Sequence, residues 1–131
     1  MKAKELMNKN IEYIKSDATV YDAIEKMVDR RIRSLVVEPK DEKDVYGVIT
    51  VRDIVFKVLK KDKDPKEINV SEIASKPLIC IDTDIDIEHV ISLMAQFNIA
   101  RVFVCEKGKI LGVIALLDVM AGSLIKRARG E

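Results

Sequence analysis

Tryptophan is missing from this 131-residue chain, histidine occurs once, cysteine twice and glycine five times. Each shortage excludes something. The one histidine, His89, stands between Glu88 and Val90 in an apolar-periodic stretch with no nucleophile that spacing pairs to it, which argues against an enzyme. His89, Cys80 and Cys105 lack the short spacings of a metal site, and the scattered glycines form no Walker-type phosphate loop, so neither a metal nor a required cofactor is expected. Both cysteines fall inside apolar, strand-like runs and read as reduced core residues. An excess of one charge is also lacking: 23 basic residues face 22 acidic ones, where nucleic-acid binding usually shows a basic surplus with exposed aromatics. The basic tail Lys126-Arg127-Ala128-Arg129 reads as a helix C-terminus. No apolar run approaches the roughly 20 residues of a membrane span. Met1 to Glu5 does not open into the apolar stretch of a secretory signal. The expectation is a cytoplasmic protein with no membrane partner.

What is present is a repeat. Gly47-Val48-Ile49-Thr50-Val51-Arg52-Asp53 returns sixty-five positions later as Gly112-Val113-Ile114-Ala115-Leu116-Leu117-Asp118. Val20, Ile24, Met27 and Ile32 align with Ile87, Ile91, Met94 and Ile99, and Leu35-Val36-Val37 with Val102-Phe103-Val104, at an offset of sixty-seven. The two-residue difference falls between aligned strands, which makes Lys40 to Asp44 a surface loop tolerant of length change. One repeat of roughly 60 residues would bury only about 60% of its unfolded surface and be marginal alone, so two copies forming one domain are expected.

Within each copy the same order of elements is legible. Val20, Ala23, Ile24 and Met27 keep helical spacing behind a Thr19-x-x-Asp22 capping box, and Ile87, Val90, Ile91 and Met94 repeat that spacing. A short apolar piece precedes each helix, Ile11 to Ile14 or Leu78 to Ile81. Two strand-like runs follow, Leu35 to Val37 and Val45 to Ile49, or Val102 to Val104 and Ile110 to Ile114. A second helix begins after Thr50 or Ala115. The fold class is therefore mixed α/β (α+β), two tandem β-α-β-β-α repeats. Residues 1–60 form the first, 61–69 a linker and 70–131 the second with a C-terminal helix. The stretch from Lys57 to Asn69, rich in Lys and Asp, reads as solvated.

The repeated signature places a hydroxyl, Thr50, and a carboxylate, Asp53, one turn apart at a helix N-terminus. Free amides there favour an anion, and an ionised Asp53 offers two acceptors that suit a ribose diol. Thr-x-x-Asp is equally an ordinary N-cap, worth about 0.5–2 kcal/mol. Ala115 cannot cap through its side chain and yet Asp118 is present, which moves the balance between cap and ligand site to even. Arg33 stands ahead of an apolar strand, where a buried guanidinium would need an anionic partner. Arg101 lies one place further along in the second copy.

Two copies of a helix, a strand led by a basic residue, and a Gly-hydrophobic-hydrophobic-x-x-x-Asp turn, with Thr-x-x-Asp in the first, resemble a pair of CBS domains, the module named for cystathionine beta-synthase. The resemblance spans about Lys4 to Ala121. It implies two repeats packed through their sheets with pseudo-twofold symmetry and clefts that bind AMP, ADP, ATP or S-adenosylmethionine. It further implies a homodimer and a regulatory role in energy sensing, read out by an unidentified partner protein. Carried onto these residues, it puts Asp53 on the ribose, Thr50 near ribose and phosphate, and Arg33 and Arg101 on phosphate, with Arg52 adding charge. Adenine would lie beside the opening strand of the second copy, around Lys76, Pro77, Leu78 and Cys80. The second signature has Ala115 and Leu117 for Thr50 and Arg52, so the site of Asp118, with Ile11 and Ile14, is expected to be weak or empty. The alternative is a structural dimerisation or docking module with empty clefts.

Overall fold

The computed structural model describes every residue from Met1 to Glu131. The chain divides into two compact units, Glu12–Leu78 and Met1–Ile11 together with Ile79–Glu131. They are called here the Thr50 unit and the Ala115 unit. In chain order the elements are α1 (Ala3–Leu6), β1 (Tyr13–Ile14), α2 (Val20–Arg30), β2 (Ser34–Val37), β3 (Gly47–Thr50), α3 (Val51–Ile54), β4 (Cys80–Ile81), α4 (Ile87–Phe97), β5 (Arg101–Glu106), β6 (Lys109–Ala115) and α5 (Leu116–Ala128).

In the Thr50 unit, β1 runs parallel to β2 and β2 antiparallel to β3, with Ser34 opposite Thr50 and Val37 opposite Gly47. The helix α2 starts on the expected capping box: Thr19 Oγ1 accepts from the Asp22 amide at 3.1 Å, and Asp22 Oδ2 from the Thr19 amide at 3.0 Å. Its apolar stripe, Val20, Ala23 and Met27, meets Leu35, Val37 and Ile49 from the sheet and Ile54 and Val58 from the following helix. The helix ends at Arg31 in the left-handed region, φ 54°. In the Ala115 unit β4, β5 and β6 repeat the topology, with Arg101 opposite Ala115 and Val104 opposite Gly112. There α4 ends in the same conformation at Asn98, φ 51°, a residue type that tolerates it better.

A feature of both units escapes the simple repeat. Offset by sixty-seven, Met1–Ile11 corresponds to residues 68–78, and each of these lead segments packs in the unit built from the other copy. The Val20 amide donates to the Ile68 carbonyl at 2.8 Å and the Val70 amide to Ala18 at 2.9 Å, so Val70 is fully buried. In the same way the Ile87 amide donates to Met1 at 3.0 Å and the Ala3 amide to Ile85 at 2.7 Å. Ser75 then bridges Val48, and Asn8 bridges Val113. These segments explain the two strand glycines. A methyl group on Gly47 would lie 2.9 Å from the Ser75 carbonyl oxygen, and one on Gly112 would lie 2.7 Å from Met7 Sδ.

Several expectations need correction. The opening strands shrink to two residues each, because only Tyr13–Ile14 and Cys80–Ile81 reach a partner strand. The strand expected over Val45 to Ile49 starts at Gly47 and includes Thr50, with Val45 and Tyr46 left exposed. The stretch read as solvated from Lys57 to Asn69 begins as helix, a π-helical turn over Val55–Leu59, and closes on Ile68, which packs against the core. The cysteines are not reduced core residues: β4 and β5 lie side by side, and Cys80 and Cys105 are joined by a disulfide, with Cys80 exposed. No helix is long and apolar enough to cross a membrane.

Candidate functional site

The Thr50–Asp53 turn is built where β3 leaves the sheet. Thr50 is the N-cap of α3, with extended backbone, and its Oγ1 accepts from the Asp53 amide at 3.1 Å. Asp53 Oδ2 accepts in return from the Thr50 amide and from Thr50 Oγ1, both at 3.0 Å. The second carboxylate oxygen, Oδ1, meets Lys57 Nζ at 3.1 Å one turn further on. Only 16% of the Asp53 side chain is exposed. The carboxylate is thus fixed in place by its own turn, and only one of its oxygens meets a side chain from beyond that turn.

Around it the strands place hydroxyls and cations. Ser34 sits opposite Thr50 across the β2–β3 ladder, a position that the alignment of strands could have revealed. The Arg33 carbonyl accepts from the Val51 amide at 3.0 Å, which brings Arg33 alongside the helix start. Its side chain is exposed, not buried as its place before an apolar strand suggests, so water solvates the guanidinium and no anionic partner is required. Arg52 lies over the Phe56 ring, 5.0 Å from its centre.

Lys76, Pro77 and Leu78 share the Thr50 unit, yet they lie toward the other end of β3. The Leu78 amide donates to Tyr46 at 3.2 Å, and Lys76 Nζ donates to both Asp44 oxygens at 2.8 and 2.9 Å. Three strand steps separate Gly47 from Thr50, about 10 Å. The Lys76 ammonium, followed by the amides of Lys40 and Val45, draws the Asp44 carboxyl down to a pKa of about 2. Leu78 is nearly buried and Pro77 exposed.

The counterpart turn in the Ala115 unit lacks most of this. Asp118 Oδ2 accepts from the Ala115 amide at 2.8 Å. The acidic half of a capping box therefore survives without the hydroxyl, since it uses only a backbone donor, and Asp118 is explained as a cap residue after all. At the positions of Arg33, Arg52 and Lys57 stand Ala100, Leu117 and Gly122. Gly122 is needed for packing, because Leu6 fills the space where its side chain would be. Arg101 faces Ala115 across the ladder, Ile11 and Cys80 belong to this unit, and Ile14 lies in the core of the Thr50 unit.

The comparisons with known proteins agree on one family. The family model of the CBS domain matches twice, over residues 3–60 and 70–124. An uncharacterised protein of Methanopyrus kandleri is 34% identical over 104 residues, 78% of this chain and 52% of that protein, so this chain spans about half of that relative's length. The hexameric CBS-CP12 protein from bloom-forming cyanobacteria superposes with a TM-score of 0.86 at 38% identity, covering 92% of this chain and 69% of that one. An uncharacterised conserved protein from Pyrococcus horikoshii gives 0.82 at 27% identity, covering 93% and 91%. With its two three-stranded sheets, swapped lead segments and two Gly-to-Asp turns, the chain belongs to the CBS domain family and carries two copies of the domain.

Proposed function

We propose that this CBS pair is a non-enzymatic, cytoplasmic regulatory module that senses adenosine nucleotides, AMP, ADP or ATP, at the Thr50–Asp53 turn. One observation carries the reading: a carboxylate held by its own turn that, unlike its counterpart Asp118, has two hydroxyls beside it and Arg33 and Arg52 in the same unit. Asp53 would accept from the ribose diol, Thr50 Oγ1, whose one proton goes to Asp53, would accept from a ribose hydroxyl, Ser34 would donate toward ribose and phosphate, and Arg33 would face the phosphate. Lys76, Pro77 and Leu78 of the same unit would flank the base. Two arginines, Arg33 and Arg52, in the unit of this acid favour an anionic nucleotide over the sulfonium of S-adenosylmethionine. The Asp118 turn would be weak or empty. Bound nucleotide would bias the position of one state against another, read out by a partner protein.

The competing docking reading has its own support. In the Ala115 unit, Leu117, Met120 and Leu124 form an apolar row along α5 that is 61%, 66% and 71% exposed, as a homodimer contact would need. Thermal unfolding with AMP, ADP, ATP and S-adenosylmethionine separates the two. Sensing predicts a nucleotide-induced stabilisation of about 2.7 kcal/mol at a hundredfold excess over Kd, lost in Asp53→Ala. Docking alone predicts no stabilisation in either protein and a concentration-dependent melting temperature.

A further inference from the structure

Lys57 has no place in the expected ligand set, yet it holds the one oxygen of Asp53 that the turn leaves available. Oδ2 is committed to the amide and hydroxyl of Thr50, so a ribose diol must use Oδ1, where Lys57 Nζ lies at 3.1 Å. The same ammonium donates to the Ile73 carbonyl at 3.2 Å. It therefore ties the π-helical turn Val55–Leu59 to the lead segment, which enters this unit through Val70. Such turns tend to occur at functional sites. The side chain of Lys57 is 47% exposed and can swing into solvent at little cost. The other unit has Gly122 at this position and no such tie.

We propose that Lys57 is an internal competitor for the ligand. The ammonium and the ribose occupy the same carboxylate oxygen, so binding expels Lys57 and at the same time releases its hold on the lead segment at Ile73. Lys57 is a positioning residue, which lowers affinity and converts occupancy into loosening of the 70–76 backbone. The proposal rests on the nucleotide reading of Asp53.

The test is calorimetric titration of AMP into the full chain and into Lys57→Gln, Lys57→Arg and Asp53→Ala. A half-exposed ion pair of this kind leads us to expect about two- to fivefold tighter binding in Lys57→Gln, and little change in Lys57→Arg, which keeps the charge. Because salt screens the pair, the gap between Lys57→Gln and wild type narrows as ionic strength rises. Hydrogen exchange at residues 70–76 should speed up on AMP binding in wild type and be fast already in Lys57→Gln. Equal or weaker binding by Lys57→Gln, with wild type binding and Asp53→Ala not, overturns the competitor role alone. Absence of AMP binding in wild type, or its survival in Asp53→Ala, overturns the nucleotide reading and the competitor role together.

Discussion

The two Gly-to-Asp turns began as one sequence and now differ in almost every charged group around the acid. Asp53 accepts from a backbone amide and a threonine hydroxyl and pairs with Lys57, while the Arg33 carbonyl accepts from the amide that starts its helix and Arg52 lies over Phe56. Asp118 accepts from a backbone amide, and alanine, leucine and glycine replace the hydroxyl, one arginine and the lysine. The shared part is what the fold needs: a carboxylate on the N-cap amide holds the helix start in either unit. The unshared part has no such duty. Thr50 adds one acceptor to the cap, but Arg33 and Arg52 lie outside the core, and the nucleotide proposal rests on their presence in one unit and not the other.

The comparison can be broken most forcefully at the strand glycines. Gly47→Ala would push a methyl into the Ser75 backbone carbonyl, which cannot move without the lead segment, whereas Gly112→Ala meets the Met7 side chain. Chemical denaturation should show losses of about 2–3 kcal/mol for the first and 1–2 for the second. Equal, small losses would mean that the lead segments are not packed as described. The next largest effect is exchange of the caps. Thr50→Ala should cost about 1 kcal/mol, and Ala115→Thr should gain several tenths, because the Asp118 amide acquires the acceptor it lacks. Failure of Ala115→Thr to stabilise would show that the turns differ in more than the hydroxyl.

The smallest expected effect concerns Asp44, whose counterpart position holds Lys109. Its carboxyl is depressed to about 2 by Lys76, below the roughly 3.9 of an unfolded chain. The sign follows: this contribution is full above about pH 4 and is lost as pH falls toward 2. Asp44→Asn should flatten the acid dependence of stability in that window, as measured by unfolding at fixed temperature. An unchanged profile would mean that the ion pair to Lys76 is not maintained in solution.

Much of this architecture is legible in the residues. The helical spacing of Val20, Ala23 and Met27, the capping box at Thr19 and the paired strands behind Gly47 and Gly112 are local patterns, and the fold respects them. The exchange of lead segments is not local. Its trace is the same offset continued backward, in Leu6 against Ile73 and Glu5 against Glu72, whose carboxylates accept from Lys2 and Asn69 amides at 2.7 Å in both copies. Four-residue α1 is too short for periodicity to disclose. The disulfide was hidden because Cys80 and Cys105 are 25 residues apart and meet only once β4 pairs with β5. At the site, Asp53 and Thr50 stand out in the sequence, whereas Ser34 and Lys57 become visible through strand register and helix geometry. Lys76, though near in the same unit, is engaged with Asp44 instead.

The central claim is that the two turns are functionally unequal. Calorimetric titration of AMP into wild type, Asp53→Ala and Asp118→Ala tests it most directly. One binding event per chain, abolished in Asp53→Ala and retained in Asp118→Ala, is the predicted result. Two equivalent events, or a single event that persists in Asp53→Ala, would contradict it.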